Sequence, residues 1–252
     1  MRADHLDEWM RRYWDEDAPT YDRSPGHATK TSAQRAAWMR VLRRLLPAPP
    51  ARVLDAGAGT GFLSVPLAEL GYQVTALDLS PGMLAHLRTR AEAANLELEV
   101  VEGSAESPPP GPFDVVVERL LLWTVADPIA ALRAWRSVAP GGQLVSFGTV
   151  WGGADRVEIW RERARSRLHR LRRRPPEHHA LYDQEVVDRL PCHGAGVPPA
   201  EVVDALEAAG WTHPELERLR DVEWTRSLML GPFERALGVP HEFAVIAKNR
   251  EG

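Results

Sequence analysis

Cysteine is almost missing: among 252 residues the only one is Cys192. A single thiol cannot close an internal disulfide and cannot build a thiolate-rich zinc or iron–sulfur site. Lysine is nearly as scarce, with Lys30 and Lys248 the only two, and the arginine and alanine excess matches a GC-rich coding bias rather than a function. No apolar run approaches the roughly eighteen residues of a membrane-spanning helix, the longest apolar region being interrupted by Glu118 and Arg119. Residues 1–9 mix both charges and lack an apolar stretch, which reads against a signal peptide. A large charge excess is missing too: 31 basic against 35 acidic residues gives −4, so the chain as a whole carries no footprint for nucleic acid or an anionic membrane. The hydrophobic share of 44% is that of an ordinary globular protein, and the length suits one or two domains at about 150 residues each. The expectation is a soluble cytoplasmic protein, monomer or homodimer.

Punctuation divides the chain. Residues 1–47 are polar with scattered aromatics (Trp9, Tyr13, Trp14, Tyr21), reading as one short helix, a loop and a helix over 32–46 that stops at Pro47-Ala48-Pro49-Pro50. Residues 48–150 alternate strand and helix signals. Strands are expected over 52–55, 73–78, 96–101, 113–117 and 143–147, with helices over 62–70, 81–94 and 128–138. Three consecutive valines, Val115 to Val117, fit a strand covered on both faces. Residues 151–197 read as a cap insertion, Arg-rich and then Pro- and His-rich. Residues 198–252 supply a helix over 198–209 and a last strand over 243–247, antiparallel to the others, completing the sheet. The fold expected is α/β: a doubly wound, mostly parallel, seven-stranded Rossmann-like sheet with a helical cap. Residues 1–47 and 154–196 read as coverings of its ligand edge.

The chemistry begins at Val53-Leu54-Asp55-Ala56-Gly57-Ala58-Gly59-Thr60-Gly61, where three glycines follow a strand and precede a helix. Such a turn lets a ligand approach the backbone and meet helix N-terminal amides. The dinucleotide fingerprint is G-x-G-x-x-G; here the spacing is G-x-G-x-G, and Asp55 would repel a pyrophosphate while favouring a cationic ligand. Asp78, at the end of the second strand, is placed to accept both hydroxyls of a ribose. The plainer alternative for it, a helix N-cap, is filled at least as well by Ser80 before Pro81. A ligand with a ribose, no phosphate and a positive end is expected, and S-adenosylmethionine meets all three conditions.

Five blocks in order then resemble the class I S-adenosylmethionine-dependent methyltransferases, in their small-molecule branch. They are the glycine segment just quoted, Leu77-Asp78-Leu79-Ser80-Pro81-Gly82-Met83-Leu84, Glu102-Gly103-Ser104-Ala105-Glu106, Phe113-Asp114-Val115-Val116-Val117 and Ala139-Pro140-Gly141-Gly142. The resemblance implies that Gly57, Gly59 and Gly61 hold the methionine end of the cofactor, with Asp55 near its ammonium and Asp78 on the ribose. Leu79 and Met83 would flank the adenine, and Ser104, Ala105 and Glu106 its edge. Many relatives carry Asp-Ala where this chain has Ser104-Ala105, so the adenine amino group would fall to Ser104 or Glu106. Tyr21 is similar to a tyrosine that closes over the cofactor in relatives; as plain packing it would anchor an N-terminal helix. Glu118 would either approach the ammonium or cap the next turn. The product would be S-adenosylhomocysteine.

The acceptor side carries less. Glu118-Arg119-Leu120-Leu121-Leu122-Trp123-Thr124 lacks the Asn/Asp-Pro-Pro-aromatic block of DNA base methylation, and Trp123 would wall a pocket for a small, partly aromatic molecule methylated on O, N or C. Core packing is the alternative for Trp123. Arg161, Arg163, Arg165, Arg167, Arg170, Arg172, Arg173 and Arg174 would be an RNA-binding patch only if aromatic rings were interleaved, and none are; a solvated helix face is expected. His178, His179, Cys192 and His193 match no zinc spacing, so no metal is expected. A general base, if one is needed, would come from His27, His179, Tyr182 or His193, with His27 the one assigned to the substrate side. A non-catalytic S-adenosylmethionine-binding regulator and an RNA methyltransferase remain the competing readings.

Overall fold

The computed structural model describes residues 3–24, 26–150, 164, 167, 182, 184–190 and 197–249, with residues 3–5 and 150 described by their backbone only. Of the arginine run only Arg167 falls among them. His178, His179, Cys192 and His193 lie outside the described residues, as does most of the 151–197 insertion.

The order is α1 (Ala3–Tyr21), α2 (Ser32–Leu45), β1 (Arg52–Ala56), α3 (Ser64–Glu69), β2 (Gln73–Asp78), α4 (Pro81–Ala93), β3 (Glu99–Glu102) and β4 (Val115–Arg119). Then come α5 (Pro128–Val138), β5 (Gln143–Val150), α6 (Gln184–Val187), α7 (Pro199–Ala208), β6 (Thr212–Arg218), α8 (Arg220–Ser227), α9 (Pro232–Ala236) and β7 (His241–Lys248). The seven strands form one sheet in the order β3-β2-β1-β4-β5-β7-β6. From β3 to β5 neighbours are parallel, and β7 runs antiparallel between β5 and β6. The expected doubly wound sheet is therefore present, antiparallel last strand included.

Side-chain alternation on β4 explains its valines. Val116 packs into one layer with Leu132 and Trp135 of α5 and Leu206 of α7. Val115 and Val117 point into the other, with Trp38, Val41 and Leu42 of α2, Leu67 of α3 and Val222 of α8. All three valines are fully buried, as strand residues with helices on both faces must be. Local chemistry fixes the helix starts. Thr31, Ser80 and Asp127 accept the N–H of Gln34, Met83 and Ala130, and proline follows Ser80 and Asp127 at the first helical position.

Three elements depart from expectation. The first helix is not short: it runs nineteen residues. Its buried positions Leu6, Met10, Tyr13 and Asp17 recur at helical spacing, but acidic and basic residues between them dilute the apolar stripe. A strand and a helix, β6 and α8, follow α7 in a stretch to which no element was assigned. The β6 sequence is polar because it is an edge strand with alternating exposure, and Pro214 sits in the register shift between Thr212 and Glu215. Among the described residues no helix is long and apolar enough to cross a membrane.

Candidate active site

Strand order reverses at β1, which lies between β2 and β4, and an open α/β sheet offers its ligand crevice at the carboxyl ends of such strands. A cavity of about 890 Å³, its mouth included, lies there.

The floor of the cavity is the glycine loop. Gly57 and Ala58 donate their N–H groups to the carbonyl of Leu77 at 2.8 and 3.0 Å, tying the loop to the end of β2. Gly59 donates to Asp78 Oδ2 at 2.8 Å, and Ser80 N–H reaches Asp78 Oδ1 at 2.9 Å. The carboxylate thus bridges the glycine loop and the start of α4 while lining the cavity. Gly57 and Gly59 are left-handed, at φ +70° and +53°. A Cβ on Gly57 would stand 2.7 Å from Leu121 Cδ1, whereas one on Gly59 would meet no atom within 4 Å, entering the cavity itself. Gly59→Ala should therefore cost the apo protein only about 1–2 kcal/mol of left-handed strain while lowering nucleoside affinity far more than stability. A melting curve and a ligand titration on the variant check this; undiminished affinity would place the ligand elsewhere.

Ten of the residues expected at the site line this one cavity: Tyr21, His27, Gly57, Gly59, Asp78, Leu79, Met83, Ser104, Ala105 and Trp123. Four others do not. Gly61 faces Leu87 and Val65 and serves packing between α3 and α4. Asp55 is buried beneath the loop and accepts the Ser64 Oγ–H. Glu106 turns away and accepts the N–H of Asp127 at 3.2 Å. Glu118 is buried, with Oε2 accepting Leu121 N–H at 2.9 Å and Oε1 meeting Ser146 Oγ; of its two expected roles it takes the turn cap.

The covering expected from residues 1–47 is supplied by α1, through residues that were not singled out. Asp7, Met10 and Trp14 of α1 line the cavity, as do Arg119 at the end of β4 and Leu120 and Leu121 after it. Asp15 holds α1 in place by accepting Ser80 Oγ–H at 2.6 Å and Gly82 N–H at 2.9 Å, at the start of α4. Asp22 does the same at the glycine loop, accepting Thr60 Oγ–H at 2.7 Å and pairing with Arg90. Aromatic rings finish the roof. Tyr13 meets Trp9, Trp14 and Tyr182 at 4.4–5.2 Å, Trp123 lies 5.7 Å from Tyr182, and His27 stacks on Tyr21 at 4.1 Å. The sequence signal for this roof was the helical spacing of Leu6, Met10 and Tyr13.

Burial pushes three carboxyls up: Asp78 to about 6, Asp55 and Glu118 to about 7. Each is disfavoured as an anion by lost hydration, and Asp55 also by the charges of Asp78 and Glu118. Folded values above unfolded ones add stability at low pH that is lost as pH rises through about 6–7. The apo protein should hence melt higher at pH 6 than at pH 8, by roughly 1–3 kcal/mol of stability in total. A cationic ligand needs the ionised forms and should bind more tightly at pH 8. Apo melting temperatures that fall from pH 8 to pH 6 would contradict the argument.

Burial also raises the Tyr21 hydroxyl to about 12, so at neutral pH it is a hydrogen-bond donor and not a base.

Against known proteins, residues 54–146 match the methyltransferase domain family. A ubiquinone biosynthesis O-methyltransferase of Xanthomonas campestris pv. campestris is 37% identical over 137 residues, 53% of this chain and 54% of that protein. The chain thus spans about half the length of the curated relatives it matches. Among solved structures, the geranyl diphosphate C-methyltransferase of Streptomyces coelicolor A3(2) superposes with a TM-score of 0.60 at 13% identity, over 97% of this chain and 98% of that one. The cyclase SpnF gives 0.63 at 17% identity, over 98% and 97% of the two chains. These structural likenesses speak for the fold alone, and the cyclase shows one fold serving different chemistry. The stretch that matches the methyltransferase domain family carries the glycine loop, Asp78 and the strand that ends at Arg119.

Proposed function

We propose that this protein is an enzyme that transfers the methyl group of S-adenosylmethionine to an O, N or C nucleophile of a small, partly aromatic molecule, releasing S-adenosylhomocysteine. The observation that carries the reading is Asp78: a half-buried carboxylate, braced by two backbone amides, lining the cavity at the ligand edge of the sheet. Its oxygens suit a ribose diol. The open space above Gly59, which a Cβ would fill, suits a ligand pressed against the backbone. Leu79 and Met83 offer apolar faces for a purine, and Ser104 and Ala105 its edge.

S-adenosylmethionine supplies the chemistry, a methyl carbon activated by sulfonium. The chain's part is positioning, exclusion of water and an electrostatic bias. Asp55, Asp78 and Glu118 make this end of the sheet negative, which favours a positive ligand over a pyrophosphate. Trp14, Trp123 and Tyr182 cover the space with rings that shed water and stack on a planar acceptor. Transfer would be an in-line displacement, whose rate depends on holding the two reactants in register. Trp123 and His27 are assigned to the acceptor side. The reading takes the protein to be cytoplasmic, a monomer or homodimer, and uses no metal, membrane or nucleic acid.

Calorimetry with S-adenosylhomocysteine and with NAD tests the cofactor assignment. The first should bind at micromolar levels and the second not at all. Binding of NAD, or of neither, ends the reading. Methyl transfer from labelled S-adenosylmethionine to a panel of small aromatic acceptors then separates the enzyme from a regulatory binder.

A further inference from the structure

A second cavity, of about 1,090 Å³ with its mouth, lies on the α2–α8 side of the sheet edge. Arg119 lines both cavities and forms the wall between them. Its guanidinium lies 4.0 Å above the Phe62 ring and 5.5 Å from that of Trp38. One nitrogen, Nη2, donates to the carbonyl of Gly26 at 2.8 Å. A guanidinium has five N–H donors, and among the described residues no carboxylate comes within 4.0 Å of this one. Burial lowers its pKa, a shift opposed in part by the charges of Glu242 and Glu118.

Of the other charges of the second cavity, Arg226 and Glu242 pair with each other at 2.5 Å, and the other oxygen of Glu242 accepts Thr149 Oγ–H at 2.9 Å. Lys30 Nζ donates to the carbonyl of Asp22. Val222, Met229 and Leu230 make the remainder of the wall apolar. A planar cation with no carboxylate close by, on a largely apolar wall, is complementary to a planar anion with an apolar body.

We propose that the acceptor site extends from the Trp123 and His27 side into the second cavity and that Arg119 is its specificity residue, binding the carboxylate of a small aromatic or otherwise apolar acid. The inference rests on the first cavity being the cofactor site. Because Arg119 stands at the junction, the carboxylate is held beside the cofactor, and the nucleophile that receives the methyl lies at or within a few bonds of it. The apolar body extends toward Met229 and Leu230.

The test uses the full chain saturated with S-adenosylhomocysteine, titrated with 2-naphthoate and with its uncharged counterpart 2-naphthylmethanol. The wild type should bind the carboxylate at least tenfold more tightly. Arg119→Gln, titrated at S-adenosylhomocysteine concentrations that saturate the variant, should erase that preference, and Arg119→Lys, which keeps the charge but loses the fork, should keep part of it. If Arg119→Gln does not fold, the wild-type preference and the Lys variant decide. Equal affinity of the two probes for the wild type, or an undiminished preference in Arg119→Gln, overturns the proposal. Failure of S-adenosylhomocysteine to bind at all would instead overturn the cofactor assignment, so the two failures are distinct.

Discussion

Replacing Asp78 by asparagine should lower S-adenosylmethionine and S-adenosylhomocysteine affinity about 10–100-fold, the loss of roughly 1.4–2.8 kcal/mol expected when a charged acceptor of two hydroxyls is neutralised. The apo protein should barely notice. Asparagine can still accept the N–H of Gly59 or of Ser80, but not both, so one amide loses its partner. Against that, the variant no longer has to bury an anion whose carboxyl is pushed up to about 6 by lost hydration. The two terms oppose each other, leaving a melting temperature within a few degrees of the parent, since 1 kcal/mol shifts a protein of this size by about 2–4 °C. Calorimetry and a thermal melt on one preparation separate the outcomes. A variant that binds normally would remove Asp78 from the site, and one that unfolds would make its role structural.

The sheet and the glycine floor of the cavity were legible because both depend on short-range rules. Strand–turn–helix punctuation fixes β1, β2 and β4, and Gly57, Gly59 and Asp78 are forced to one edge by lying at the carboxyl ends of adjacent parallel strands. What the sequence withheld is long-range. Nothing local in α1 says that Asp15 reaches the start of α4 or that Asp22 reaches Thr60; those contacts join residues 65 and 38 positions apart. The acidic and basic residues that hide the amphipathic stripe of α1 are, in part, the ones that dock it.

Asp55 and Glu118 lie off the cavity lining for a related reason. Both lie on strands at the ligand edge, but strand alternation turns one under the loop and the other toward β5, where Ser64 and Ser146 bond them. Asp78 differs because β2 ends at it, leaving its side chain at the rim. Arg119 sits at the matching place on β4, with Leu120 beyond it in a left-handed conformation, φ +59°. Its neighbours Phe62, Trp38 and Gly26 come from separate parts of the chain, so its exceptional setting emerges only in the assembled fold.

Trp135→Ala should be the most damaging core substitution near the site. The indole is fully buried between α5 and the sheet, and its Nε1–H donates to the carbonyl of Ala105 at 2.7 Å. Removing a buried tryptophan costs about 3–5 kcal/mol through lost contacts and the cavity left behind. Leaving the Ala105 carbonyl without its donor adds about 1–3 kcal/mol. Together these should lower the melting temperature by on the order of 10 °C or more. Trp135→Phe tests the second term alone, because phenylalanine keeps much of the ring but has no N–H. It should cost stability modestly, yet weaken S-adenosylhomocysteine binding several-fold, since Ala105 and Ser104 line the cavity on the loop that this hydrogen bond fixes. An Ala variant that melts with the parent would show that α5 does not seal the core here. A Phe variant of reduced stability and unchanged affinity would show that the loop holds its place without the indole.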